Sequence, residues 1–135
     1  KGNSYKITLE GDTKTLPDDL FGKENIMEPK QKGNSSTRVV GSRSHMNEET
    51  ELFIKKLKDE GKEVDIVSKG SSLKFCLVAD GGADIYPRVA PTMEWDTAAG
   101  HAICAAMGLK VTNWETGKDL VYNKENLLNP YFLVK

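Results

Sequence analysis

Short runs of apolar, often β-branched residues alternate along most of this chain with capped stretches of helical periodicity, and that alternation points to a layered α/β domain. Arg38-Val39-Val40-Gly41 has the length of a strand ending in a turn. Asn47 then caps a helix whose first turn carries Glu48 and Glu49, where the dipole favours acids, and whose apolar face is Leu52, Phe53 and Leu57. Gly61 stops it. Val64, Ile66 and Val67 predict a second strand ending at Lys69-Gly70, and Ser71 or Ser72 caps a second helix through Leu73, Phe75, Cys76 and Val78. Gly81-Gly82 breaks that helix, and Ala83 to Arg88 reads as a strand near its end at Pro87. A third, Ala-rich helix is predicted from Asp96 to Met107, with Gly108 as its C-terminal cap. Val111 to Trp114 and Leu120 to Tyr122 flank a Glu115-Thr116-Gly117-Lys118 turn as a hairpin or two short strands, and Pro130 to Val134 supplies a last strand. No internal repeat is visible.

At 135 residues the sequence fits one ordinary domain. Nineteen basic against twenty acidic residues leave a formal net charge of -1, which argues against a nucleic-acid-coating surface and makes any anion site local. Cys76 and Cys104 lie in apolar helical contexts without CxxC spacing and read as reduced core residues. No apolar run has the length of a membrane span, and the N-terminus lacks the pattern of a signal peptide, so the chain reads as soluble and cytoplasmic. Ser4 to Leu9 alternates like a half-buried strand, whereas Glu10 to Ser36, with Pro17 and Pro29, reads as a long connection. A lone strand is not stable, so its expected partners are strands outside this sequence, and the chain reads as a fragment.

Chemistry gathers where strands end and helices begin. In Glu94-Trp95-Asp96-Thr97-Ala98-Ala99-Gly100 a carboxylate sits at a helix start between a large aromatic and small residues. Helix N-termini attract anions, and Mg²⁺ takes carboxylate oxygens together with those of a bound phosphate, so a metal-assisted phosphate reaction is the first reading; a plain helix cap is the alternative. Ser71 is either an N-cap or a phosphate or ribose contact. Lys74, badly placed for the helix dipole, suits an anion ligand, and Arg88 either binds phosphate or pairs with a surface carboxylate. His45, in Ser42-Arg43-Ser44-His45, suits hydrogen bonding to backbone or to a ligand edge better than base catalysis; His101 reads as a packing or surface residue. Metal-assisted phosphate hydrolysis needs several carboxylates, and Asp18, Asp19 and Glu24 are too loosely spaced to join Asp96. No catalytic residue is therefore assigned within this chain.

Five segments in order, Ser42 to His45, Gly70 to Cys76, Ala83 to Arg88, Glu94 to Gly100 and Tyr122-Asn123-Lys124-Glu125, resemble the C-terminal half of the CysQ-type 3'(2'),5'-bisphosphate nucleotidases. These belong to the lithium-sensitive, Mg²⁺-dependent phosphatase superfamily that includes inositol monophosphatase. The likeness runs from about Thr37 to Phe132. Trp-Asp-x-Ala-Ala-Gly marks the superfamily, while Ser-Arg-Ser-His, Ser-Ser-Leu-Lys and Ile-Tyr-Pro-Arg point to the nucleotidase branch.

The resemblance implies a layered α/β/α/β/α sandwich of which residues 37–135 are the C-terminal α/β domain and residues 1–36 a remnant strand of the N-terminal α+β domain with a long loop. It implies that Asp96 binds Mg²⁺ and also takes part in substrate binding, and that His45, Ser71, Lys74 and Arg88 line the nucleotide side of the pocket, with Ser72 a neighbour. The reaction implied is removal of the 3'-phosphate of adenosine 3',5'-bisphosphate to give AMP, in sulfur assimilation and nucleotide turnover, with inhibition by Li⁺. The family's Asp-Pro-x-Asp-Gly-Thr motif and an upstream Glu do not occur in this sequence, so the expected partner is the N-terminal half of the same enzyme, and the chain alone is expected to be inactive. Alternatives are an inositol phosphate or fructose bisphosphate phosphatase of the same superfamily, or a non-catalytic nucleotide-binding module. Localisation is read as cytoplasmic, with peripheral association with the bacterial inner membrane left open; no nucleic-acid partner is expected.

Overall fold

Alternate residues of a strand face opposite sides of its sheet, and Val39 and Val40, both fully buried, mark the two sides here. The computed structural model describes residues 2–12, 15–28, 36–41 and 46–135. Strands β1 (Thr37–Val40) and β2 (Val64–Val67) pair in parallel, with Thr37 opposite Val64 and Val40 opposite Val67; helix α1 (Glu48–Asp59) makes the crossover. Beyond α2 (Leu73–Ala79), strands β3 (Tyr86–Arg88), β4 (Val111–Asn113) and β5 (Phe132–Val134) form a second sheet with β5 central and antiparallel to both neighbours. A parallel bridge from Val39 to Ile85 joins the two sheets, with Val40 N donating to Ile85 O at 2.7 Å. Arg38 secures that seam: its backbone N donates to Asp84 Oδ2 at 2.8 Å, and its guanidinium meets both carboxylate oxygens at 3.1 Å.

Val39 packs with Ile54 and Leu57 of α1 on one side of the sheet. On the other side Val40, Phe75, Val78, Tyr86, Cys104, Val111, Phe132 and Val134 form the larger core under α2 and α3 (Glu94–Ala106). Burial pushes the Cys104 thiol up to about 12, and both cysteines are free thiols. Among the described residues no helix is long and apolar enough to cross a membrane.

Asn47 caps α1 as expected, accepting from Thr50 N at 3.2 Å, but the buried face is Thr50, Ile54 and Leu57, and Leu52 is 57% exposed. The spacing of four and three residues keeps those three on one stripe, from which Leu52, two residues from both Thr50 and Ile54, points away. Neither serine caps α2 through its side chain: Ser72 is already in helical conformation, and Ser71 adopts a left-handed φ of 52°. Helix α3 begins two residues early, at Glu94, and Gly108, with φ 79°, follows its C-terminal end.

Two expected strands do not form. Asn113 closes the turn by accepting from Glu115 N and Thr116 N at 2.8 and 3.0 Å, yet the return segment makes one bridge, Thr112 to Asp119, and β4 takes β5 as its strand partner. Ser4 to Leu9 makes only an antiparallel bridge, Tyr5 to Ile26, whose partner lies inside the stretch read as a connection, beside a 3₁₀ turn at Lys23–Asn25. Met27 then enters the larger core, Ser4 Oγ donates to Ile103 O, and Lys6 pairs with Asp80 at 2.7 Å, so this segment lies against α2 and α3.

Candidate active site

Helix α2 follows β2, the parallel partner of β1, and α3 follows β3, whose preceding residue Ile85 bridges β1 in parallel; a cleft of about 360 Å³ opens between the starts of the two helices and the end of β3. Ser71, Lys74, Arg88 and Asp96 all line it, over a floor of Phe75, Tyr86 and Phe132. The four come from three segments of the sequence, and the fold brings them to one cavity. His45, with the whole Ser42-Arg43-Ser44-His45 segment, lies outside the described residues.

Among the described residues no carboxylate pairs with the cations of the cleft. Lys74 Nζ lies 5.6 Å from the centre of the Tyr86 ring, and burial, with the neighbouring charge of Arg88, holds the ammonium below its ordinary pKa of 10.5. One Arg88 nitrogen donates to Pro91 O at 3.3 Å, while its Nε is buried without a hydrogen-bond partner. Among the described residues neither side chain forms a salt bridge. A buried orphan donor beside a second cation suits an anionic ligand with several acceptor oxygens.

This imbalance has a measurable consequence. A lysine whose folded pKa is depressed destabilises the fold while it is charged, and stability recovers as pH rises through the lowered value toward 10.5. Lys74→Met should therefore raise the melting temperature of the ligand-free chain at pH 7 slightly, by roughly 1–2 °C, the scale on which relieving one partly screened unfavourable charge acts, while weakening anion binding. Thermal melts with and without added phosphate check both signs, and a fall in ligand-free stability would contradict the reading.

Asp96 is solvent-exposed, and its Oδ2 accepts from Met93 N at 2.8 Å. The same carboxylate thus caps the helix and keeps one oxygen without a bond among the described residues. Trp95 beside it is 66% exposed on the cleft wall. A Mg²⁺ ion takes about six oxygen ligands, and among the described residues no group of three or more His, Cys, Asp or Glu side chains could hold a metal ion. Asp96 fits as one ligand of such an ion, with the remaining oxygens coming from phosphate, water or other carboxylates.

Sequence reasoning passed over the residues that brace this wall. Glu94 is 8% exposed, and its carboxylate accepts from Asn123 N at 2.6 Å, Lys124 N at 3.3 Å and the Lys124 ammonium, which together hold it below its ordinary pKa, the ammonium contributing most. Thr97 Oγ1 donates to Glu94 O and accepts from Asn129 Nδ2 at 3.0 Å and the Tyr122 hydroxyl at 3.3 Å. His101 contacts that hydroxyl through Nδ1 at 2.9 Å, and burial lowers its pKa. Two signs were available: a second acidic residue in the helix's first turn, which ordinarily means nothing beyond the dipole, and the Tyr122-Asn123-Lys124-Glu125 segment, which the resemblance marked without assigning it a task.

Residues 13–131 match the family model of the inositol monophosphatase family. The chain belongs to the inositol monophosphatase family. Within it, the chain is 50% identical over 97 residues to the 3'(2'),5'-bisphosphate nucleotidase CysQ of Escherichia coli strain K12, an overlap covering 71% of this chain and 37% of that protein. The corresponding protein of Buchnera aphidicola is 52% identical over 85 residues, covering 63% of this chain and 30% of its own length. In structure, the chain is similar to CysQ from Bacteroides thetaiotaomicron, with a TM-score of 0.73 and 52% identity over 79% of this chain and 40% of that one. Inositol monophosphatase II from Staphylococcus aureus MSSA476 superposes with a TM-score of 0.58 at 20% identity, covering 81% of this chain and 39% of its own, and shares the α/β fold. This family member thus spans well under half the length of the four relatives just named.

Proposed function

We propose that this chain forms the C-terminal wall of the active site in a Mg²⁺-dependent 3'(2'),5'-bisphosphate nucleotidase, which converts adenosine 3',5'-bisphosphate to AMP and phosphate in the cytoplasm. The observation that carries the reading is a pair of cations, Lys74 and Arg88, in one cleft with Asp96 and without a salt-bridge partner among the described residues. Two cations suit a ligand with two phosphates, since each can donate to a separate set of oxygens. In this reading residues 37–135 are the C-terminal domain and residues 1–36 belong with the N-terminal domain, which supplies the other carboxylates.

Each of the five site residues then has a defined task. Arg88 donates its orphan Nε to a phosphate oxygen, Lys74 neutralises the same or the second phosphate, Ser71 and His45 hydrogen-bond the nucleoside side, and Asp96 presents one oxygen to the cation. Bound Mg²⁺ would supply phosphate charge neutralisation and an acidified water. Li⁺ inhibition belongs to the same reading.

The test is a substrate panel on the protein completed by its N-terminal half. Adenosine 3',5'-bisphosphate should be preferred over inositol monophosphate and fructose bisphosphate. Arg88→Met should raise the nucleotide KM about tenfold to a hundredfold, as loss of one charge-assisted hydrogen bond implies, without altering Mg²⁺ dependence. A preference for inositol monophosphate would overturn the nucleotide assignment and leave the family membership standing.

A further inference from the structure

Residues 123–129 contain no helix or strand, and all but Lys124 and Asn129 of those beyond Asn123 are exposed, so little apolar burial fixes their path. Hydrogen bonds to residues 92–97 fix it instead. The Glu94 carboxylate takes two successive backbone N–H groups, from Asn123 and Lys124, together with the Lys124 ammonium. Asn123 adopts a left-handed φ of 61°, a conformation that asparagine tolerates better than most side chains and that lets both N–H groups converge on one carboxylate. Further along, Glu94 N donates to Leu127 O at 3.0 Å, Asn129 N to Thr92 O at 2.8 Å, and Asn129 Nδ2 to the hydroxyls of Thr92 and Thr97.

All these anchors fall on the segment that carries Trp95 and Asp96. Helix ends fray unless their groups find partners, and the first turn of α3 has no side-chain cap from Met93 to its own amides beyond what Asp96 returns to Met93 N. We infer that Glu94, clamped by the Asn123-Lys124 loop, is a positioning residue: it fixes the first turn of α3 so that the Asp96 carboxylate holds its direction at the cleft. The inference rests on the proposed metal role of Asp96. It also gives Lys124 a task, that of closing the clamp, in a segment with no other part in the site.

Two measurements test it. In this chain, Glu94→Gln keeps the size and one acceptor but loses the charge; amide exchange at Asn123, Lys124 and Met93 should accelerate, and Trp95 emission should shift in a Trp114→Phe background. In the completed enzyme the same variant should weaken apparent Mg²⁺ affinity about tenfold or more, the usual range for an outer partner of a metal ligand, with nucleotide KM changed less than threefold. Lys124→Met, which retains both backbone bonds to Glu94, should move the same quantities in the same direction by less, and serves if Glu94→Gln folds poorly. Unchanged Met93 exchange, or unchanged Mg²⁺ affinity while Asp96→Asn still loses it, overturns the positioning role. Mg²⁺ affinity unchanged in both variants would instead remove the metal role on which the inference stands.

Discussion

Gly100→Ala is expected to destabilise the chain by about 2–3 kcal/mol, a fall of roughly 6–10 °C in melting temperature, although alanine is the better helix former by about 1 kcal/mol. A Cβ at Gly100 would lie 2.5 Å from Phe75 Cγ, 2.6 Å from Cδ2 and 2.8 Å from Cβ, distances at which something must shift. Phe75 cannot swing aside, because its ring is held edge-on by Tyr86 at 5.5 Å and stacked on Phe132 at 5.7 Å, and it is 2% exposed. The relief open to the structure is separation of α2 from α3. That motion carries Ser71 and Lys74 away from Asp96, so phosphate affinity should fall along with stability. Ala99→Ser, one residue away on the exposed side, is the control and should stay within about 0.5 kcal/mol of the parent. Equal melting temperatures for the parent and Gly100→Ala would show that the two helices do not need their close approach.

The same glycine shows how the fold could be read in advance. Capped helices with an apolar stripe and strands bounded by glycine are local facts: Asn47, Gly61 and Gly108 all lie at the expected helix ends. Where the reading failed, a distant partner decided. Leu120 to Tyr122 has strand composition, yet β4 pairs with β5, and Tyr122 is drawn to Thr97 and His101 of α3. Tyr5 finds Ile26 across a stretch whose polar composition hides it, and Ile54 rather than Leu52 fills the space under α1 because Val39 lies there. Serine at a helix start predicts a cap, but the left-handed backbone at Ser71 frees both hydroxyls from that task.

The site divides along the same line. Ser71, Lys74, Arg88 and Asp96 each sit at a strand-to-helix edge, and a parallel α/β layout brings such edges to one rim, so their meeting in a single cleft follows from topology. That among the described residues Arg88 Nε has no hydrogen-bond partner and Lys74 no carboxylate are properties of the assembled surface, which no spacing encodes. Glu94 was hard to read for the opposite reason: two of its three donors are backbone N–H groups 29 and 30 residues away, which carry no sequence signature, and the third, the Lys124 ammonium, is equally distant in the chain.

Asp96→Asn is the substitution that separates the two duties of this carboxylate. Asparagine retains an oxygen for the Met93 N–H at 2.8 Å and loses the charge, so the cap survives and stability should change by less than about 0.5 kcal/mol. Asp96→Ala loses both and should destabilise the helix start by about 1 kcal/mol. In the completed enzyme, on the proposed metal role, the asparagine variant should nonetheless lose about 10³-fold in kcat/KM, because one anionic ligand of a cation acting on phosphate is worth several kcal/mol in the transition state and each 1.4 kcal/mol is tenfold in rate. Raised Mg²⁺ should recover part of that loss, and nucleotide binding without metal should be unaffected, since Lys74 and Arg88 remain. Activity within threefold of the parent for Asp96→Asn, with Asp96→Ala impaired only as far as its stability falls, would mean that the residue is a helix cap and that the cation is held entirely by other groups.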